Sequence, residues 1–171
     1  TAGFDENGTY AAAPYSDLNT AAWYAKYVNF AASKGIVNGR PDGTFDPDAS
    51  ITRAEFATMI ANFAGVGRVE APSASNDVAG HWAAGYIVAL ERANIVTGYE
   101  DGTFRPNANI TRAEAATMVN GAIDRTPDTA LDLAANSYTN PFTDVTAGQW
   151  FFAQVMEATV NHVTAHFHTD K

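Results

Sequence analysis

The residues best placed to do chemistry come in pairs. Arg53 and Arg112 are the second residues of two identical tetrapeptides, Thr52-Arg53-Ala54-Glu55 and Thr111-Arg112-Ala113-Glu114. Thr-x-x-Glu is a capping box: the Thr hydroxyl accepts the Glu backbone N–H, and the Glu carboxylate reaches back to the Thr N–H. Capping explains Thr and Glu but not Arg. A cation in the first helical turn opposes the macrodipole and costs a few tenths of a kcal/mol. Twice that cost is accepted, which leaves a solvated arginine and a ligand-facing arginine both open. The other constellations are weaker. Asp42, Asp46 and Asp48 cluster near Gly43, but a calcium loop with Gly43 or Gly102 at its sixth position would begin with Asn38-x-Arg40 or Thr97-x-Tyr99, which fails. His162 and His166 could share one helix face and a metal; without a cysteine or an HExxH-like pattern they and His168 read as surface histidines. No metal or cofactor is expected. No catalytic triad is visible, and the acids are accounted for by caps and Asp-Gly turns, so no enzyme is expected. Trp23, Trp82 and Trp150 stand where helices begin. They read first as core or bundle-end packing and second as an aromatic wall against a sugar face.

The elements that carry these residues are duplicated. The two tetrapeptides lie 59 residues apart, and residues 23–65 match residues 82–124 at 20 of 43 positions without a gap. A fixed period of this kind marks a repeat architecture. In a chain of 171 residues, one repeat of about 50 residues buries too little surface to stand alone, so the repeats should share a core. Hydrophobic content of 46% suffices for that. The net charge of −9, with ten Lys and Arg, offers no basic patch for nucleic acid or an anionic membrane. No cysteine is present, so neither disulfides nor thiol chemistry arise. No apolar run is long enough to insert in a membrane. Thr1-Ala2-Gly3 shows no signal-peptide pattern, and the chain reads as mature or as a piece of something longer.

Residues 1–14 read as an N-terminal arm or linker. Repeat 1 spans 15–65: a helix over 22–34 with Tyr24, Tyr27, Val28 and Ala31 on one face, Gly35 as its C′ residue, and a turn at Pro41-Asp42-Gly43. A second helix follows over 52–64 with Phe56, Met59, Ile60 and Phe63 inward, and Phe45 turns to the core. Repeat 2 spans 74–125, with helices over 81–93 and 111–123, Tyr86, Ile87 and Leu90 inward, and Asn94 in place of Gly35. Repeat 3 spans 141–164 and is truncated: Asp144-Val145 and Trp150 match Asp77-Val78 and Trp82, a helix over 150–161 places Phe151, Val155 and Met156 in the core, and then the pattern stops.

Gly39-Arg40-Pro41-Asp42-Gly43-Thr44-Phe45-Asp46-Pro47, its copy Gly98 to Pro106, Ile-Thr-Arg-Ala-Glu and Asp-Val-x-x-x-Trp together resemble the S-layer homology family over about residues 15–163. The resemblance implies a mainly α, pseudo-threefold repeat assembly around a central three-helix bundle, with short loops and extended pieces, all three repeats forming one structural domain. It implies a non-catalytic, extracellular module that holds an exported bacterial protein on the cell wall by binding an acidic, pyruvylated secondary wall polysaccharide, monomeric as a module. A structural protein–protein module of the envelope and a piece of a wall-active enzyme are the alternatives. The site implied is Arg53 and Arg112 on the glycan carboxylate, with Gly39 and Gly98 giving close backbone approach. Asp17, Asp77 and Asp144 serve as first-helix caps or, second, as sugar-hydroxyl acceptors. Trp23, Trp82 and Trp150 complete it. On this reading, Arg53→Ala and Arg112→Ala leave the fold intact or slightly firmer, and removal of residues 141–171 abolishes cooperative folding.

Overall fold

The computed structural model describes residues 3–125, 127 and 140–159. His162, His166 and His168, most of the segment between repeats 2 and 3, and the end of repeat 3 lie outside the described residues. The described residues hold five helices: α1 (Ala25–Ser33), α2 (Arg53–Ala64), α3 (Ala84–Arg92), α4 (Arg112–Ala122) and α5 (Phe152–Thr159). Among them the one β pairing is an isolated antiparallel bridge between Thr52 and Asn109. The mainly α class expected from the sequence is therefore the class observed.

Both second helices open on the expected capping box. Thr52 and Thr111 are extended, with ψ of 161° and 159°, and each accepts the backbone N–H of its Glu while that Glu accepts the Thr N–H. The first helices start without a side-chain cap, at Tyr24 and Ala83. All four helices of repeats 1 and 2 close in the same way. Ile36, Val66, Ile95 and Arg125 each donate an N–H to the carbonyl five residues back. The residue just before each of them, Gly35, Gly65, Asn94 or Asp124, is left-handed with φ between 55° and 68°. This is the Schellman closure, which satisfies carbonyls the helix leaves open. Since an N-cap is worth about 1 kcal/mol, Thr52→Ala and Thr111→Ala should each lower unfolding free energy by that amount. Urea melts that superimpose on the parent would remove the capping box from the list of stabilising features.

The chain folds as two compact units, Thr1–Ile110 and Thr111–Lys171. The division falls inside repeat 2, between its glycine loop and its second helix. In the first unit α2 packs on α3; in the second α4 packs on α5. Each pair thus joins the second helix of one repeat to the first helix of the next. In the first unit α3 takes its principal helix contact from α2. Ile87, Val88, Ala89 and Leu90 are consecutive and all buried, so the middle of α3 is covered on most of its circumference. The buried residues of α2 differ in part from the large apolar stripe expected. Ala54, Ala57 and Ala61 are at most 1% exposed and Ile60 is buried, whereas Phe63 is 51% exposed. In the second unit Met118 of α4 and Met156 of α5 are buried, and Asn120 Nδ2 donates to Gln154 O and Oε1 at 3.0 and 2.9 Å.

The described part of the N-terminal arm is docked on α1. Phe4 stacks on Tyr27 at 4.9 Å, and Tyr10 meets Phe30 edge-on at 5.1 Å. Ala13 N–H donates to Asn29 Oδ1, and Lys26 bonds Glu6.

Candidate functional site

The two Asp-Gly-Thr-Phe loops are built identically. In loop 1 Arg40 and Thr44 close a short turn, Arg40 N–H donating to Thr44 O at 2.8 Å and Gly43 N–H to Arg40 O at 3.0 Å; in loop 2 Tyr99, Thr103 and Gly102 repeat both bonds. Gly43 and Gly102 have φ of 84° and 78°, the left-handed conformation that glycine enters without penalty. Asp42 and Asp101 each accept the N–H and hydroxyl of the Thr two residues on. The Thr103 hydroxyl, then Arg105, hold the Asp101 carboxyl down to about 2. Asp42 is lowered chiefly by the Thr44 hydroxyl.

Asp17 and Asp77 do not cap the first helices, which corrects the preferred expectation. Each carboxylate instead clamps the far side of its own loop. Asp17 accepts Phe45 and Asp46 N–H at 2.8 and 2.7 Å, and Asp77 accepts Phe104 and Arg105 N–H at 2.7 and 2.8 Å. The physical reason is that Asp46 and Arg105 are left-handed, both with φ of 58°. That turns two successive N–H groups to one side, where a carboxylate can take both. The Phe45 N–H is the leading cause of the lowered Asp17 pKa. Asp144 is exposed.

Gly39 and Gly98 serve packing at the loop stem. A Cβ on Gly39 would overlap the Tyr15 ring and meet Thr44 O at 2.9 Å; one on Gly98 would meet Thr103 O at 2.7 Å and Ser75 Oγ at 2.8 Å. Ser75 is itself buried and bonded to Glu91.

The two arginines sit differently. Arg53 is 4% exposed. Its Nε donates to Phe104 O at 2.8 Å, and its Cζ lies 4.7 Å from both the Tyr99 and Phe104 ring centroids. Arg105 covers Tyr99 as well, at 3.9 Å, and pairs with Asp101. The backbone joins the same contact: Arg53 N–H donates to Ala108 O, Ala54 N–H to Pro106 O, and Ile110 N–H to Ile51 O. The N-terminus of α2 is thus plugged into the loop of the next repeat, and Phe104 is fully buried there. Arg at the first helical position is explained by this socket, in which a carbonyl and two aromatic faces receive the cation. Arg112 is exposed.

The tryptophans are not core residues, against the first of the two expectations. Trp23, Trp82 and Trp150 are 80%, 56% and 67% exposed, and each stands two residues before its helix. Trp23 borders an open depression of about 460 Å³ lined by Thr20, Ala22, Lys26 and Tyr27.

Duplicated capping boxes, clamped glycine loops and helix-initiating tryptophans on a mainly α scaffold define a helical repeat module. The family profile of the S-layer homology domain matches residues 14–57 and 76–116, and the chain belongs to that family, whose place is outside the cell at the wall. It is 37% identical over 172 residues to cell surface glycoprotein 1 of Acetivibrio thermocellus, covering 94% of this chain and 7% of that protein. It is 36% identical over 167 residues to a cellulosome-anchoring protein of the same organism, covering 94% of this chain and 36% of that protein. A Bacillus endoglucanase is 35% identical over 105 residues, covering 61% of this chain and 11% of that protein. The chain therefore spans a minor part of each of these relatives.

Proposed function

We propose that this chain is a non-catalytic module that holds an exported protein on the bacterial wall by binding an acidic, pyruvylated secondary wall polysaccharide. The observation that carries the reading is the exposure of Trp23, Trp82 and Trp150 at matching places in three repeats. A solvent-facing indole is costly to leave bare and suits the apolar face of a sugar. Arg112 offers its guanidinium for a carboxylate, which a planar fork matches bidentately. Arg53 sets the adjoining loop and adds its charge from beneath. Gly39, Gly98, Asp17 and Asp77 act by fixing the loop backbone against which the glycan lies, and Asp144 repeats the Asp77 position in the truncated copy. The net charge of −9 repels a polyanion at a distance, so attraction must come from these groups at short range.

Calorimetric titration of a pyruvylated wall-glycan fragment tests the proposal on exposed positions that carry little of the fold. Trp23→Ala and Trp82→Ala should each weaken binding by about fivefold, the value of an aromatic contact of about 1 kcal/mol, with unchanged thermal melts. Equal affinity of the parent for pyruvylated and depyruvylated fragments would remove the acidic-ligand reading; unaltered binding by both variants would remove the aromatic wall. The relative named as an endoglucanase motivates one control, hydrolysis of wall glycan by this chain, and a positive result would replace the anchoring reading by an enzymatic one.

A further inference from the structure

Repeats 1 and 2 each place a cation over the same tyrosine, and they do so by different means. Tyr27 and Tyr86 are equivalent in the 59-residue repeat, and each follows its tryptophan by four residues. The chain enters the two helices through the same bonds. Ala25 and Ala84 N–H donate to Ala22 and His81 O, and Tyr27 and Tyr86 N–H donate to Tyr24 and Ala83 O. In repeat 1 the cation belongs to the helix. Lys26 Nζ lies 5.2 Å from the Tyr27 ring centroid, and Lys26 lines the depression beside Trp23. The Trp23 and Tyr27 ring centroids are 6.3 Å apart. Repeat 2 has Gly85 where repeat 1 has Lys26, and there the preceding segment supplies the cation. Arg68 Cζ lies 5.4 Å from the Tyr86 centroid. Gly85 makes the room, since a Cβ on it would meet Arg68 Nε at 3.2 Å and Arg68 Cβ at 3.3 Å. Val69 N–H donates to Gly85 O at 3.0 Å and pins the segment there. Two routes thus lead to one arrangement: an exposed indole, a tyrosine one helical turn on, and a cation over the tyrosine ring.

Both cations remain open to a ligand. Arg68 is exposed. Lys26 already receives a carboxylate, with Glu6 Oε1 3.4 Å from Nζ, and the two side chains are 37% and 74% exposed. An exposed pair of this kind is weak and exchanges readily. We propose that Lys26 and Arg68 read the acid group of the wall glycan: a sugar ring lies on Trp23 or Trp82 while its carboxylate takes the cation of the same repeat, displacing Glu6 in repeat 1. The inference rests on the acidic-glycan reading and adds two acid-reading residues outside the Thr-Arg-Ala-Glu boxes.

Calorimetric titration of pyruvylated and depyruvylated wall-glycan fragments into the full chain tests this with two double variants. Lys26→Met/Arg68→Met removes both charges and keeps unbranched apolar stems on the tyrosine rings. Lys26→Arg/Arg68→Lys keeps both charges. The parent should prefer the pyruvylated fragment. In the methionine variant that preference should fall at least about fivefold, because a charge-assisted contact is lost at each site. The charge-keeping variant should retain a preference above that of the methionine variant. A methionine variant with the full preference of the parent would overturn this inference and leave the acidic-glycan reading standing. Equal losses toward both fragments would also overturn it, because the cations then only fasten the segments that precede the helices. So would a charge-keeping variant with no more preference than the methionine one. A parent without preference would overturn the acidic-glycan reading, and this inference with it.

Discussion

Arg53→Ala is expected to cost about 2–4 kcal/mol of stability, while Arg112→Ala changes it by no more than about 0.5 kcal/mol in dilute solution. The same residue at the same place in two copies of one motif should therefore give two outcomes. Arg53 is 4% exposed, and its Nε bond to Phe104 O is charge-assisted, a class of contact worth about 1.5–3 kcal/mol. Truncation also strands a buried carbonyl and removes the cation from two aromatic faces, a contact worth about 0.5–2 kcal/mol. It leaves a gap where the aliphatic stem had packed. Relief of the helix dipole returns only a few tenths of a kcal/mol. For Arg112, which is exposed, the dipole effect and a small solvation change are all that remain. Guanidinium denaturation of both variants decides the matter, and equal shifts of the two midpoints would contradict the socket. The outcome also guards any binding experiment. Lost glycan affinity in Arg53→Ala can reflect a released loop, whereas lost affinity in Arg112→Ala speaks to the guanidinium itself.

Much of the local structure was legible because it is local. Thr52 and Glu55, Gly35 and Asn94, and Asp42 with Gly43 act on neighbours three or four residues away, and sequence spacing specifies such geometry directly. The socket was not legible, because Arg53 and Phe104 are 51 residues apart and no local rule brings them together. The cost of an arginine in the first turn was a signal that something was missing, although it did not say whether a ligand or the next repeat supplied the compensation. Asp17 and Asp77 were misread for a related reason. A carboxylate upstream of a helix is by default a cap; here the positive φ of Asp46 and Arg105 creates a better pair of donors in the loop. The inward face of α2 was read only in part, because hydrophobic size was weighed above small side chains: Ile60 is buried as expected, but Ala57 and Ala61 are buried beside it while Phe63 is half exposed. Trp23, Trp82 and Trp150 could be core or surface by type alone, and only burial separates the two.

Removing residues 141–171 should unfold α4 while leaving α2 and α3 folded, a narrower outcome than the loss of all cooperative structure that repeat arithmetic suggests. The deletion takes away α5, the helix on which α4 packs. Met118, 4% exposed in the intact chain, and Met156, 3% exposed, lie on the two helices of that pair, so Met118 becomes solvated. Asn120 Nδ2 loses both of its acceptors on Gln154. What remains for α4 is eleven residues and a capping box. A box contributes about 1 kcal/mol, and isolated helices shorter than about 12–15 residues are marginal in water; Gly121 near its end weakens it by about another 1 kcal/mol. The pair of α2 and α3 is in a different position. Its core of Ala54, Ala57, Ile60, Ile87, Val88 and Leu90 lies wholly within the first 110 residues, and so do the bonds from Arg53 and Ala54 to Phe104, Pro106 and Ala108. Hydrogen exchange of the truncated chain reads the two helix pairs separately. Amides of residues 112–122 should exchange at the rate of an unstructured peptide, while those of residues 53–64 and 84–92 keep their protection. Retained protection in 112–122 would mean that α4 does not depend on α5. Loss of protection in all three segments would mean that the fold of the first unit extends beyond Ile110.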